Sequence, residues 1–396
     1  MKPKLLVLAS TFPGTPGDGT PAFVLDLAWQ QAKDFDVTVF TPMTPGAAPA
    51  ETMTSPDGSE RIHVLRYRYF FSRWEDLAHG AILDNLKARK SRLLQVPLLA
   101  HFQFYGIRRL VRQLNPAAIH AHWVIPQGIL ATLAAPSVPL LVTTHGGDIY
   151  ALNASPILAL KRWVFGRAAA ITTVNSQMKA RLVEWGQPAE KISLLPMGVD
   201  TRSVGELAER TAKIPGQMLV VGRLVEKKGI EYLFEALREI KARGGRLGKL
   251  VVIGDGPIRG ELELKAQGLD VEFRGQQGRD AVHLAISQSE LMLIPSVTAA
   301  NGDQEGLPVT LLEGAAGKVC VIASNLPGID EVITDQVSGL LVPQRDSAAL
   351  ADAIELVMAD AMLRAQLAAG IAESVKRFDI AVIGAGYNAV LKGIAK

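Results

Sequence analysis

Glu305 and Glu313, eight positions apart, offer the most chemistry in this sequence. Glu305 belongs to the loop Asp303-Gln304-Glu305-Gly306-Leu307-Pro308, and Glu313 to the apolar segment Val309–Ala316 that follows. Pro308 suits the first turn of a helix, because its ring presets φ and its missing N–H is not needed there. Glu305 then stands just before the helix, where backbone N–H groups and the helix dipole favour an anion. Glu313 lies about a turn and a half inside. Two carboxylates so placed can grip a polyhydroxylated ligand whose phosphates sit at the helix start. Glu313 falls among Leu311, Leu312, Ala315 and Ala316, an uncomfortable setting for a carboxylate that only faces water.

Four other loops carry groups of interest. Gly222-Arg223-Leu224-Val225-Glu226-Lys227-Lys228-Gly229 offers an Arg fork and a Lys point charge for phosphate, although a solvated charged turn reads the same way. Gly254-Asp255-Gly256-Pro257 is glycine-rich but lacks the G-x-G-x-x-G spacing of a dinucleotide site. His145-Gly146-Gly147-Asp148 places a histidine at the end of an apolar run, close enough to glycine backbone to meet a ligand or to cap a surface turn. His120 and His122 straddle another run and suit either packing or contact with an acceptor. The loop at 11–20, with Pro13, Gly14, Pro16, Gly17 and Gly19, leads into a helix and can hold an anion there, or be an ordinary long turn. No HExxH spacing or Walker A sequence occurs, so neither a zinc site nor a P-loop is expected.

These loops need elements to position them. The apolar run 4–9, the helical spacing of 21–33 and the run 36–41 make a βαβ unit, which calls for a parallel sheet. Further runs at 62–65, 117–122, 139–144, 169–174 and 192–195 are continuous rather than alternating, as in strands buried on both faces. The pattern restarts at 218–222. Ile230, Leu233, Phe234, Leu237 and Ile240 then form a helical stripe stopped by Gly244-Gly245, and runs follow at 250–253, 271–273, 291–294 and 319–323. The predicted fold is α/β: two tandem Rossmann-like doubly wound domains facing a cleft, 1–200 and 201–377, with a final helix over 378–396. Ligands of such sheets bind outside the carboxyl ends of the strands, where these loops fall.

Composition narrows the classes. The 396 residues are 48% hydrophobic and 20% charged, which excludes disorder, collagen and coiled coil. Cys320 is the only cysteine, so no disulfide forms within the chain. Residues 1–200 carry 20 Lys and Arg against 14 Asp and Glu, whereas the remainder carries 22 against 25. The excess concentrates at 61–112, where eleven basic residues meet only Glu75, Asp76 and Asp84 and are interleaved with Tyr67, Tyr69, Phe70, Phe71, Trp74, Phe102, Phe104 and Tyr105. An anionic membrane surface or substrate explains that segment, and so does a core with a solvated basic face. It shows no nucleic-acid recognition pattern. The opening apolar run is too short for a signal-peptide core, and prolines break the uncharged stretch 113–147. The expectation is a cytoplasmic protein, with attachment to the inner face of the cell membrane left open.

Taken in order, these pieces resemble the retaining glycosyltransferases of family 4, which have the GT-B fold. The loop at 11–20, His145-Gly146, Pro196-Met197-Gly198-Val199-Asp200, Gly222-Arg223 with Lys228-Gly229, Gly254-Asp255-Gly256-Pro257 and the pair Glu305/Glu313 stand in family order from residue 5 to about 343. Residues 297–306 look most like transferases of exopolysaccharide and cell-envelope assembly. The resemblance implies a nucleoside-diphosphate sugar as donor substrate, a glycan or lipid-linked acceptor, and no cofactor or metal. It implies catalytic roles for His145, Glu305, Arg223 and Lys228. The donor-binding set would be Gly17, Gly19, Arg223, Lys228, Gly254, Gly256, Glu305, Gly306, Leu307 and Glu313. Within it Arg223 and Lys228 would hold the diphosphate, Glu305 would face the sugar and Glu313 the ribose hydroxyls. Many relatives have two adjacent glycines in the first loop, where this chain has Gly17-Asp18-Gly19-Thr20. The rival expectations are an epimerase or phosphorylase of the same fold, and a non-catalytic sugar-nucleotide sensor.

Overall fold

Leu5, Leu6, Val7 and Leu8 are wholly buried, as required of a strand covered by helices on both faces. They belong to β1 (Lys4–Leu8), which opens a sheet with β2 (Asp36–Pro42), β3 (Ala50–Thr54), β4 (Arg61–Tyr67), β5 (Ala118–His122), β6 (Leu140–Thr143), β7 (Ala170–Thr173) and β8 (Ile192–Leu194). The spatial order is β3-β4-β2-β1-β5-β6-β7-β8, and every pairing is parallel except β3 with β4. The computed structural model describes residues 2–15, 20–78, 80 and 82–396. The chain divides into two units, Met1–Met197 with Ile380–Lys396, and Gly198–Asp379.

The second unit holds β9 (Met218–Val221), β10 (Leu250–Ile253), β11 (Val271–Gly275), β12 (Leu291–Ile294), β13 (Cys320–Ser324) and β14 (Leu340–Val342), in the parallel order β11-β10-β9-β12-β13-β14. Alternate residues of these strands face opposite ways and build two cores. Met218, Val220, Leu250 and Val252 pack with Leu233, Phe234 and Leu237 of the helix Ile230–Ala242 on one side. Leu219, Val251, Met292 and Ile294 pack with Leu311, Leu312 and Ala315 of the helix Val309–Ala316 on the other. Each fully buried Leu or Phe contributes about 1.5–3 kcal/mol relative to exposure.

Strand order locates the functional edge of each sheet. From β9 the chain steps outward to β10 and β11, then returns to the other side of β9 for β12. The first sheet reverses in the same way, with β2 on one side of β1 and β5 on the other. Beyond the carboxyl ends at such a reversal, the following loops diverge and leave room for a ligand.

The helix Ile380–Ile394 completes the first unit by packing on the helix Phe23–Ala32. Gly384 makes that approach feasible, because a Cβ there would lie 2.4 Å from Cβ of Gln30. The Asn388 side-chain amide donates to the Gln30 carbonyl and to Asp34, each at 2.9 Å, and the Tyr387 hydroxyl donates to the Leu195 carbonyl at 2.8 Å.

Candidate active site

Three loops of the second unit meet at its strand reversal. Gly254 has φ +139°, and a Cβ there would fall 1.9 Å from the Gly222 carbonyl oxygen. A Cβ on Gly256 would fall 2.2 Å from the carbonyl oxygen of Leu224. The loops after β9 and β10 therefore lie backbone against backbone, tied by Leu224 N–H to the Asp255 carbonyl at 2.9 Å. The family resemblance implies that both glycines contact the donor. The structure gives them a prior reason to be glycine, since any side chain would push the loops apart.

The loop after β12 is fixed to the same place. Val297 N–H donates to the Lys227 carbonyl at 2.8 Å, and Ala300 N–H to the Glu226 carboxylate at 2.8 Å. Lys227 pairs with Asp303 at 3.2 Å. Lys228 Nζ stands 3.3 Å from Glu305 Oε1, with both side chains largely buried. Burial pushes the Glu305 carboxyl up, but Lys228 and Lys227 together outweigh it and hold it below its ordinary value. Glu305 is thus a carboxylate in a dry setting, able to accept hydrogen bonds from a polyol. The Lys228 chain crosses Gly222, whose absent Cβ would lie 2.9 Å from Cε.

Glu305 and Glu313 flank the start of the helix Val309–Ala316, for which Pro308 is the N-cap rather than the first helical residue. Leu307 is half-buried against the core under this helix, and Gly306 is buried. Glu313 remains partly exposed and meets His283, with Nε2 3.3 Å from Oε1. His283 carries no sequence signal. It is a lone imidazole on the helix Arg279–Gln288, and only the tertiary fold brings it to Glu313. Arg223 stands two residues beyond the end of β9, on the same edge.

In the first unit, His145 follows β6 and is half-buried among rings, with centroids 4.5 Å from Trp123 and 5.3 Å from Phe23. Its Nε2 is 3.1 Å from His122 Nδ1. Asp148 pins the loop by accepting from His145 N–H at 3.1 Å and Val124 N–H at 3.3 Å. Burial pushes His145 down to about 3, so it is a neutral imidazole at pH 7. His120 is also pushed down to about 3, by burial and then by His145, and bonds Gln31 and Thr143 at 2.7 Å each. His120 is therefore a packed core residue, whereas His122 is linked to His145. Gly17 and Gly19 lie outside the described residues.

The basic segment 61–112 separates into core and surface. Tyr67, Tyr69 and Arg66 are buried, and Arg66 bonds the Ala48 and Pro13 carbonyls and Glu51. Phe71 and Trp74 are 70% and 59% exposed, edge to face at 6.2 Å. Gln95 bonds the Trp74 carbonyl at 2.8 Å, which brings the pair to the start of the helix Gln95–Leu114. From the N-cap Leu94 along that helix, Leu98, Phe102, Tyr105, Arg109 and Arg112 recur at helical spacing, and all six are exposed. Among the described residues no helix is long and apolar enough to cross a membrane, and no three His, Cys, Asp or Glu side chains group as metal ligands.

Two parallel sheets of this kind define the GT-B class of folds. The chain aligns over 99% of its length with 99% of the sucrose-phosphate synthase of Thermosynechococcus elongatus, at TM-score 0.78 and 20% identity. It aligns over 99% with 100% of the Anabaena HepE protein in complex with UDP-glucose, at 0.70 and 17%. Residues 17–203 match the family described as Glycosyltransferase Family 4, and residues 215–360 that described as Glycosyl transferases group 1. The chain thus carries a Glycosyltransferase Family 4 domain followed by a Glycosyl transferases group 1 domain. An amylovoran biosynthesis glycosyltransferase of Erwinia amylovora is 32% identical over 48% of this chain and 47% of its own, so the match spans about half that relative. A Bacillus subtilis glycosyltransferase assigned to teichuronic acid biosynthesis is 27% identical over 98% of this chain and 96% of its own.

Proposed function

We propose that the protein is a glycosyltransferase of polysaccharide or cell-envelope assembly. It moves a hexosyl group from a nucleoside-diphosphate sugar to a glycan or lipid-linked acceptor, with retention of anomeric configuration and without a metal. The observation that carries this reading is the Lys228–Glu305 pair at the strand reversal of the second unit, beside the N-terminus of the helix that bears Glu313. The related HepE protein binds UDP-glucose, which supports a nucleotide-sugar donor. As the sugar leaves, negative charge develops on the diphosphate. Arg223, Lys228 and the helix N-terminus are positive groups suited to that charge and need no reorganisation to meet it. Glu305 accepts from the sugar hydroxyls, Glu313 from the ribose, and the neutral His145 serves the transferred sugar by hydrogen bonding rather than by charge. Gly254, Gly256, Gly306 and Leu307 shape the donor pocket of the second unit; a donor contact at Gly17 and Gly19 is implied by the family resemblance and lies outside the described residues.

A thermal-shift comparison of UDP-, GDP- and ADP-sugars identifies the donor, because a ligand bound only by the folded state raises apparent stability. Calorimetry and kinetics then separate the glutamates. Glu313→Ala weakens nucleoside diphosphate binding by about 1–3 kcal/mol, the worth of a charge-assisted hydrogen bond. Glu305→Ala leaves that affinity nearly unchanged and lowers turnover. Equal loss of diphosphate affinity in both variants would refute the division. Donor consumed without acceptor would favour an epimerase, and tight donor binding without turnover a sensor.

The exposed stripe supports a further partner. Aromatic and aliphatic side chains that grade into Arg109 and Arg112 suit an anionic bilayer surface, where a lipid-linked acceptor resides. Sedimentation with anionic vesicles at low salt should carry the protein down, and Phe102→Ser with Tyr105→Ser should release it. Failure to bind such vesicles would leave the stripe as a solvated face.

A further inference from the structure

We infer that His283 is the positioning residue for nucleotide ribose recognition, acting through Glu313; this rests on the proposed role of Glu313. His283 is 7% exposed on the helix Arg279–Gln288, which lies beside the helix Val309–Ala316. The two approach closely, since a Cβ on Gly317 would lie 2.4 Å from Cγ2 of Ile286. Nε2 of His283 is 3.3 Å from Oε1 of Glu313. Among the described residues no Lys or Arg pairs with Glu313, so this imidazole is the one charged or polar side chain that bonds the carboxylate.

The consequence follows from the bond itself. A carboxylate accepts only, so Nε2 carries the hydrogen and donates to Oε1. Oε1 is held by the imidazole, which leaves Oε2 for a diol. A free Glu side chain loses substantial rotamer freedom when it is ordered. His283 removes that cost before the nucleotide arrives, in the way that outer residues orient the groups that touch a ligand. It also keeps a partner on a carboxylate set among Leu311, Leu312 and Ala315, which are themselves buried.

The test is a cycle between side chain and ligand. Whichever of UDP, GDP and ADP binds the wild-type chain most tightly is titrated beside its 2′,3′-dideoxy analogue. His283→Ala should weaken the ribose form about tenfold and the dideoxy form hardly at all. His283→Gln, which keeps an N–H at similar reach, should recover most of the loss. The loss should also vanish when Glu313 is already Ala. Equal weakening of both nucleotides, or none, would overturn the inference and leave His283 as a packing residue. If instead Glu313→Ala itself affects both nucleotides equally, or no diphosphate binds, the ribose role of Glu313 is wrong and the inference falls with it.

Discussion

Replacing Lys228 by Met keeps the side chain's length and removes its charge. Lys228 Nζ is 3.3 Å from Glu305 Oε1, and both side chains are mostly shielded from water. At an effective dielectric constant of about 20, unit charges at that distance attract by roughly 5 kcal/mol. Some of this is recovered because an ammonium no longer has to be desolvated, and Lys227 still favours the Glu305 carboxylate. The expected net loss is about 2–4 kcal/mol at pH 7, most of it due to the carboxylate left without its partner. Adding Glu305→Gln should therefore restore stability to within about 1 kcal/mol of wild type, although activity stays lost. The sign with pH is fixed by Glu305, whose pKa is held below its ordinary value in the folded chain. In wild type the pair contributes above the ordinary carboxyl pKa of about 4.3 and is lost as pH falls through the lower folded value. In Lys228→Met burial is less opposed, the carboxyl protonates at higher pH, and the single variant approaches wild type between pH 7 and pH 5. Urea unfolding of wild type, Lys228→Met and the double variant at both pH values measures this. A double variant no more stable than Lys228→Met at pH 7 would refute the reasoning.

Three further outcomes are expected. His120 and His145 are pushed down to about 3, chiefly by burial, and His122 is also held well below its ordinary value. The folded chain therefore binds fewer protons than the unfolded one, and stability falls as pH drops below about 6.5, by at most about 1.4 kcal/mol per pH unit for each imidazole. Tm measured from pH 7.5 to 5 should decline accordingly, and a flat profile would mean that the imidazoles are protonated in the fold. Gly254→Ala forces a Cβ onto the Gly222 carbonyl and should lower stability by more than about 2 kcal/mol, whereas Gly260→Ala, with open space and a helical position, should be neutral or raise it by up to about 1 kcal/mol. Similar denaturation midpoints for the two would refute the backbone-contact argument. On the proposed roles of Arg223, Lys228 and the helix end as the positive charge at the diphosphate, turnover should survive EDTA; loss restored by Mg²⁺ or Mn²⁺ would reverse that assignment.

What could be read from the sequence, and what could not, follows from physical range. Buried parallel strands announce themselves as unbroken apolar runs, and β1, β10 and β12 each do so over four or more residues. β3 was not legible, because an edge strand that alternates exposed with half-buried residues and holds Thr52 and Glu51 has no apolar run to offer. The loops with Arg223, Lys228, Glu305 and Glu313 were visible by residue type and by their place after strands. Their mutual contacts were not, since Lys228 meets Glu305 only because β9 and β12 are neighbours in space. Gly254 and Gly256 stood out for a ligand reason, while the contact that forbids side chains there is with another loop. His283 acts through a partner supplied by the tertiary fold, which no local pattern encodes.

The helix Ile380–Ile394 reverses the order in which the two units can be finished during synthesis. The second unit is one continuous segment whose ends meet, with Val199 N–H bonded to the Phe378 carbonyl at 3.0 Å and Val199 bridged to Asp379. It can close without residues 380–396, which belong to the first unit. The first unit, begun earlier, must wait for them. Until they emerge from a ribosome adding about 5–20 residues per second, the Gln30 face of the helix Phe23–Ala32 has no cover, and Tyr387 is missing from its buried place 5.6 Å from the His120 ring. A nascent chain is thus most vulnerable to proteases and aggregation in the half it made first, and clipping the last helix should unfold that half while sparing the other.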